Sequence, residues 1–147
     1  TNYAYVRAGS NSDGVDKLEI NTIQGYHTQA GKITDQGNYY IKKIKLDDLN
    51  LVKKVSGIKI DTEGHEFEVI EGSKKIIEEN KPEILIEINE TSFDKCISFL
   101  KKYDYKFYYL DEYNEKIINV EHYSDFLVEE EGTNCFATTK AIEIFNS

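Results

Sequence analysis

The stretch Ile58-Lys59-Ile60-Asp61-Thr62-Glu63-Gly64-His65-Glu66 decides how the chain folds. Two β-branched residues flank a lysine, which is strand composition, and the run ends at Asp61. Thr62-Glu63-Gly64 then supplies a turn. A helical segment follows from about His65 to Glu79, along which Phe67, Ile70, Ile76 and Ile77 form an apolar stripe that Gly72 weakens in the middle. Strand, acidic turn and helix make the first part of a βαβ unit.

Reading toward the C-terminus, Pro82 stops that helix, and Glu83-Ile84-Leu85-Ile86-Glu87-Ile88 is a nearly continuous apolar strand. Such a run fits a parallel strand covered on both faces. Thr91 or Ser92 is placed to cap the next helix, which runs to about Tyr103 with Phe93, Cys96, Ile97 and Leu100 on one side. Lys106 to Leu110 is again strand-like. A polar connection over 111–132 leads to a last strand, Asn134 to Thr139. No helix precedes that strand, so it is expected to run antiparallel, at the edge or inserted between neighbours.

Reading toward the N-terminus, Tyr39 to Leu46 alternates polar and apolar as a half-buried strand does, and Asp47-Asp48 opens a short helical stretch. The polar stretch 25–37, with three glycines, reads as a long surface loop. Asn2 to Arg7 and Lys17 to Asn21 are extended, separated by the turn Ser10-Asn11-Ser12-Asp13-Gly14. The whole, 1–147, is expected to be a single α/β domain with a mostly parallel sheet and an antiparallel C-terminal strand.

Bulk chemistry narrows the function. The formal charge is −9 and Arg7 is the one arginine, a field that repels phosphate backbones and anionic lipid. Nucleic acid is therefore not the expected partner. No apolar stretch approaches the ~20 residues that a membrane helix needs. Cys96 and Cys135 lack CxxC spacing and read as buried free thiols of a reducing compartment, so a cytoplasmic location is expected. The glycines fall at 9, 14, 25, 31, 37, 57, 64, 72 and 132, spaced for neither a phosphate cradle nor a serine nucleophile elbow. His27, His65 and His122 lack metal-ligand spacing, and no metal is assigned.

Ligands of open α/β sheets bind at the carboxyl ends of the strands. That rule singles out Asp61, and Glu87 with Asn89. Asp61-Thr62-Glu63-Gly64-His65-Glu66 packs three carboxylates and one imidazole into six residues. Neighbouring carboxylates raise one another's pKa, and one of them can serve as a base. The competing structural reading is that Glu63 and Glu66 satisfy free amides at a helix start, and that His65 is an ordinary surface residue. Glu87 lies in an otherwise apolar strand, where a buried carboxylate needs a partner. Tyr103, Tyr105, Tyr108, Tyr109 and Tyr113 read as packing residues, with a sugar-stacking platform as the sharper alternative.

The run from Ile58 to Glu66, continued by Val69-Ile70-Glu71-Gly72, resembles the signature of FkbM-type methyltransferases. Pro82 with Ile86-Glu87-Ile88 is similar to the strand that follows in that family. Lys45-Leu46-Asp47-Asp48-Leu49 resembles an upstream family element, Arg7-Ala8-Gly9-Ser10 more loosely another, and Asn134-Cys135-Phe136-Ala137-Thr138 the final strand. The likeness is most specific over about residues 45 to 90.

This resemblance implies a Rossmann-like class I methyltransferase sheet, truncated at the N-terminus, because the family's opening strand and D-x-G-A-N-x-G turn are not found in the chain. It implies S-adenosylmethionine as cofactor of the intact parent, with Ala8, Gly9, Ser10 and Asp61 on the cofactor side. It implies O-methylation of a hydroxyl on a small-molecule or glycan acceptor, with Asp61 as catalytic residue and His65 as the alternative base. Glu63, Gly64, Glu66, Glu87 and Asn89 would shape the turn and the substrate side, and the loops 25–37 and 111–132 would carry acceptor specificity. The isolated chain is expected to be inactive. The rival expectation is a non-catalytic glycan- or partner-binding module derived from a degenerate methyltransferase, whose open sheet would favour self-association into a homo-oligomer. An upstream D-x-G-A-N-x-G segment in the native reading frame would favour the enzyme.

Overall fold

The computed structural model describes residues 6–8, 15–23, 26–33, 35–36, 39–111, 114–126 and 133–142. Two compact units emerge: Thr1–Asn50 with Glu68–Ser73, and Leu51–Phe67 with Lys74–Ser147.

The first unit holds a four-stranded sheet of β1 (Val6–Ala8), β2 (Val15–Ile23), β3 (Tyr26–Ile33) and β4 (Tyr39–Ile44), in the order β1-β4-β2-β3. β1 runs parallel to β4, and β2 pairs antiparallel with both β3 and β4. The expected 25–37 loop is thus mostly strand. Its side chains are too polar to announce β3, but pairing of Leu18 with Ile33 and Ile23 with Tyr26 satisfies the backbone. A 3-10 turn, Leu46–Asp48, follows β4, and the Asp47 amide donates to the Gly72 carbonyl at 3.0 Å.

The second unit is built on five strands: β5 (Gly57–Ile60), β6 (Glu83–Ile88), β7 (Lys106–Asp111), β8 (Lys116–Asn119) and β9 (Thr133–Thr138). Their order is β5-β6-β9-β7-β8. Only the β5–β6 ladder is parallel; β9 pairs antiparallel with β6 and β7, and β8 antiparallel with β7. The expectation of a mostly parallel, Rossmann-like sheet is therefore corrected to a mixed α/β sheet with largely antiparallel ladders. The physical reason lies in the connections. β9 enters between β6 and β7 and converts what would be one parallel contact into two antiparallel ones. β8 lies inside the stretch read as a connection and forms a hairpin with β7, the strand read over Lys106 to Leu110. The expected antiparallel final strand is present, and it is inserted.

Among the described residues there are three helices: α1 (Glu66–Glu71), α2 (Lys74–Asn80) and α3 (Glu90–Lys101). The single helix read over 65–79 is broken at Gly72-Ser73, where the Ser73 hydroxyl turns back to the Val69 carbonyl at 2.6 Å. Glycine's backbone entropy cost and a serine competing for a main-chain carbonyl both favour interruption there. Asn89, not Thr91 or Ser92, caps α3, with its Oδ1 accepting from the Ser92 amide at 3.0 Å. Thr91 instead donates its hydroxyl to Asn89 Oδ1 at 2.7 Å. Helical spacing then buries Phe93, Cys96, Ile97 and Leu100 along one side of α3.

β6 alternates between half-buried and buried residues, so it is not covered evenly on both faces. Ile84, Ile86 and Ile88 are fully buried, while Glu83, Leu85 and Glu87 face the other way. Along one cross-strand row lie Ile60, Ile86, Cys135 and Tyr109, all buried. Phe126 joins the layers, meeting Phe93 of α3 at 5.9 Å and Tyr109 of β7 at 5.6 Å between ring centroids, both edge-on. Tyr105 is buried with its hydroxyl donating to the Pro82 carbonyl at 2.8 Å, and burial pushes its pKa up to about 12. Tyr105, Tyr108 and Tyr109 are packing residues; Tyr113 lies outside the described residues. Cys96 and Cys135 are buried free thiols.

Two substitutions probe this core. Ile86→Ala should cost about 2–5 kcal/mol in urea unfolding, because a fully buried isoleucine leaves a cavity. Tyr105→Phe should cost about 1 kcal/mol, the net worth of one buried hydrogen bond. Equal losses for the two variants would contradict the assigned packing.

Candidate functional site

Parallel pairing of β5 and β6 sets the site. With Ile60 beside Ile86, the residues that follow, Asp61 and Glu87, leave the same rim of the sheet side by side. Glu87 is also in register with Asn134 of β9, which is exposed. A row of two carboxyl groups and one amide therefore crosses three strands, on the face opposite the buried Ile60–Ile86–Cys135 row.

The chain reverses immediately after Asp61. Glu63 and Gly64 both adopt the left-handed region, with φ of 51° and 98°. A Cβ added at Gly64 would meet nothing within 4 Å, so backbone conformation and not space demands glycine there. Glu66 closes this bend. One of its oxygens, Oε1, accepts from the Gly64 amide at 2.8 Å and from the Thr62 hydroxyl at 3.2 Å. The side chain is buried, with 2% of its surface exposed. Its Oε2 is buried with no hydrogen-bond partner among the described residues. Glu66 thus does what the structural reading of the sequence proposed, while the charge of Glu63 acts on Glu87.

Electrostatics distinguish Glu87 within this group. Burial raises its pKa above the ordinary carboxylate value. The negative charge of Asp61, a side-chain hydrogen bond with Asp61 and the charge of Glu63 raise it further, and Lys59 alone opposes them. Lys59 Nζ lies 3.4 Å from Asp61 Oδ2, a loose and solvent-exposed ion pair. Glu87 is thereby the partner-seeking carboxylate that its apolar strand implied, and the partner is Asp61.

The other candidate residues divide. His65 is half-buried directly after the bend. Asn89 is engaged as the cap of α3. Ala8 ends β1 in the first unit, whereas Asp61 belongs to the second; Gly9 and Ser10 lie outside the described residues. Of the two segments expected to carry specificity, 25–37 is largely β3, and 111–132 contains β8 and a 3-10 turn at Tyr123–Asp125. Among the described residues, no group of three or more His, Cys, Asp or Glu side chains could hold a metal ion. No helix among them is long and apolar enough to cross a membrane. Asn134 was not singled out in the sequence, because only the insertion of β9 brings it beside Glu87.

Residues 2–107 match the family model of the methyltransferase FkbM domain. The chain belongs to the FkbM methyltransferase family. No curated protein and no solved structure matches it. The family's acidic bend is the bend described above. Family membership implies S-adenosylmethionine in general. In the second unit the described glycines are Gly57 and Gly64. A Cβ at Gly57 would make only ordinary contact with the Glu83 carbonyl oxygen at 3.8 Å, and one at Gly64 would meet open space.

The raised pKa of Glu87 has a consequence for stability. Between the ordinary carboxylate value and the raised one, the folded protein keeps a proton that the unfolded chain releases, so stability falls as pH climbs through that window. Glu87→Gln removes this loss. Urea unfolding should show the variant more stable than the parent near pH 7, with the gain vanishing in acid below the ordinary carboxylate range. A variant less stable at pH 7 would contradict the assignment.

Proposed function

We propose that the protein acts as an S-adenosylmethionine-dependent O-methyltransferase toward a hydroxyl of a sugar, glycan or natural product, and that its acidic rim handles the acceptor. Membership of the FkbM family supports methyl transfer. The observation that carries the acceptor-side reading is the adjacency of Asp61 and Glu87 at the shared end of β5 and β6. Methylating a hydroxyl oxygen releases one proton. A carboxylate within hydrogen-bonding reach of that hydroxyl can take it while fixing the oxygen's lone pair for attack. Asp61 suits this task because it sits at the strand end with its side chain 42% exposed. His65, four residues on and half-buried, is the alternative base. Glu66 holds the bend, and Gly64 supplies the reversal.

A non-catalytic binding module of the same descent is the competing reading. Turnover by the native full-length protein separates the two.

Asp61→Asn in that protein should lower kcat roughly 100-fold or more, the usual worth of a general base, with little change in unfolding midpoint. Full activity in the variant would remove Asp61 from the mechanism. Calorimetry of the 147-residue chain with S-adenosylmethionine should show no micromolar binding; micromolar binding would place a cradle within this chain, contrary to the reading given.

A further inference from the structure

Asp61 and Glu87 are brought together by backbone geometry that neither residue can escape. The parallel register of Ile60 with Ile86 makes them neighbours on one face of the sheet. Glu66 pins the bend beyond Asp61, and Asn134 flanks Glu87 on the far side. The charge of Asp61 and its hydrogen bonding toward Glu87 both act to raise the pKa of Glu87. Two ionised carboxylates provide no donor and repel each other, whereas one proton between them would replace that repulsion with a hydrogen bond.

We propose that Asp61 and Glu87 work as a single carboxyl pair holding one shared proton, with Glu87 as the positioning residue that fixes the Asp61 carboxylate for an acceptor hydroxyl. Its catalytic consequence rests on the assignment of Asp61 as base. Glu87 donates the shared proton to one Asp61 oxygen and the other oxygen receives the acceptor's proton, with Lys59 Nζ, 3.4 Å from Oδ2, balancing the remaining charge. The charged and titratable groups that act on Glu87 are Asp61 and Glu63 beyond β5 and Lys59 on it; its neighbour on β9 is the neutral Asn134.

Carbon-13 NMR of side-chain carboxyl groups, followed through a pH titration of the 147-residue chain, tests the pair without requiring turnover. Glu87 should titrate above the ordinary carboxylate range in the parent. Asp61→Asn should bring its midpoint part of the way down, leaving the elevation that burial alone produces. Glu63→Gln should bring it down by less, and Lys59→Met should move it up. A Glu87 that is merely buried would titrate at the same raised pH in the parent and in Asp61→Asn, and that result would overturn the proposal. So would a parent Glu87 titrating in the ordinary range. Because this readout is separate from methyl transfer, loss of the shared proton and loss of the base assignment are distinguishable: the first appears in the titration, the second in the turnover of Asp61→Asn.

Discussion

Parallel pairing of β5 with β6 is the constraint from which the site follows. Strands that run the same way end at the same rim, so Asp61 and Glu87 emerge together, 26 residues apart in sequence and adjacent in space. An antiparallel pair would have sent one carboxylate to the opposite end of the sheet. The ladder itself is short, four residues of β5, and gains its rigidity from burial. Ile60 and Ile86 lie on the covered face, and β9 pairs with the other edge of β6 through five residues.

Alternation divides labour between the two faces of β6. The side holding Ile84, Ile86 and Ile88 supplies core, at about 1.5–3 kcal/mol for each fully buried aliphatic side chain. The side holding Glu83, Leu85 and Glu87 is half-buried and carries charge. Glu83 is neutralised by an ion pair with Lys140, which holds its carboxyl below the ordinary range against the opposing effect of burial. Glu87, at the other end of the strand, has the acidic neighbours Asp61 and Glu63, opposed by Lys59, and the neutral Asn134 beside it. One strand thus carries an ion-paired carboxylate at its start and one crowded by like charge at its end. The second costs stability, which is the usual condition of groups retained for chemistry.

Much of this was legible in the sequence where local chemistry and tertiary structure agree. Strand Glu83–Ile88 was read to the residue, because Pro82 and the apolar run mark it unambiguously. The bend after Ile60 was legible because Gly64 and its flanking carboxylates have few structural alternatives. β3 was hidden because polar side chains and three glycines mimic a loop, and only the register with β2 reveals a strand. The direction of most ladders was equally hidden. βαβ spacing speaks of successive strands, whereas β9 is inserted between two of them by a pairing far along the chain. The same insertion explains why Asn134 carried no signal, whereas naming the partner of Glu87 required the register of β5 with β6.

The central claim is that the acidic bend crowns two parallel strands in the register Ile60 beside Ile86. Backbone NOE spectroscopy on the isotopically labelled chain tests it most directly. The account predicts interstrand contacts that advance in the same direction along both segments, from Ile58 with Ile84 to Ile60 with Ile86. Contacts that run in opposite directions, or that join residues 58–60 to the segment just beyond the bend as a hairpin, would contradict it.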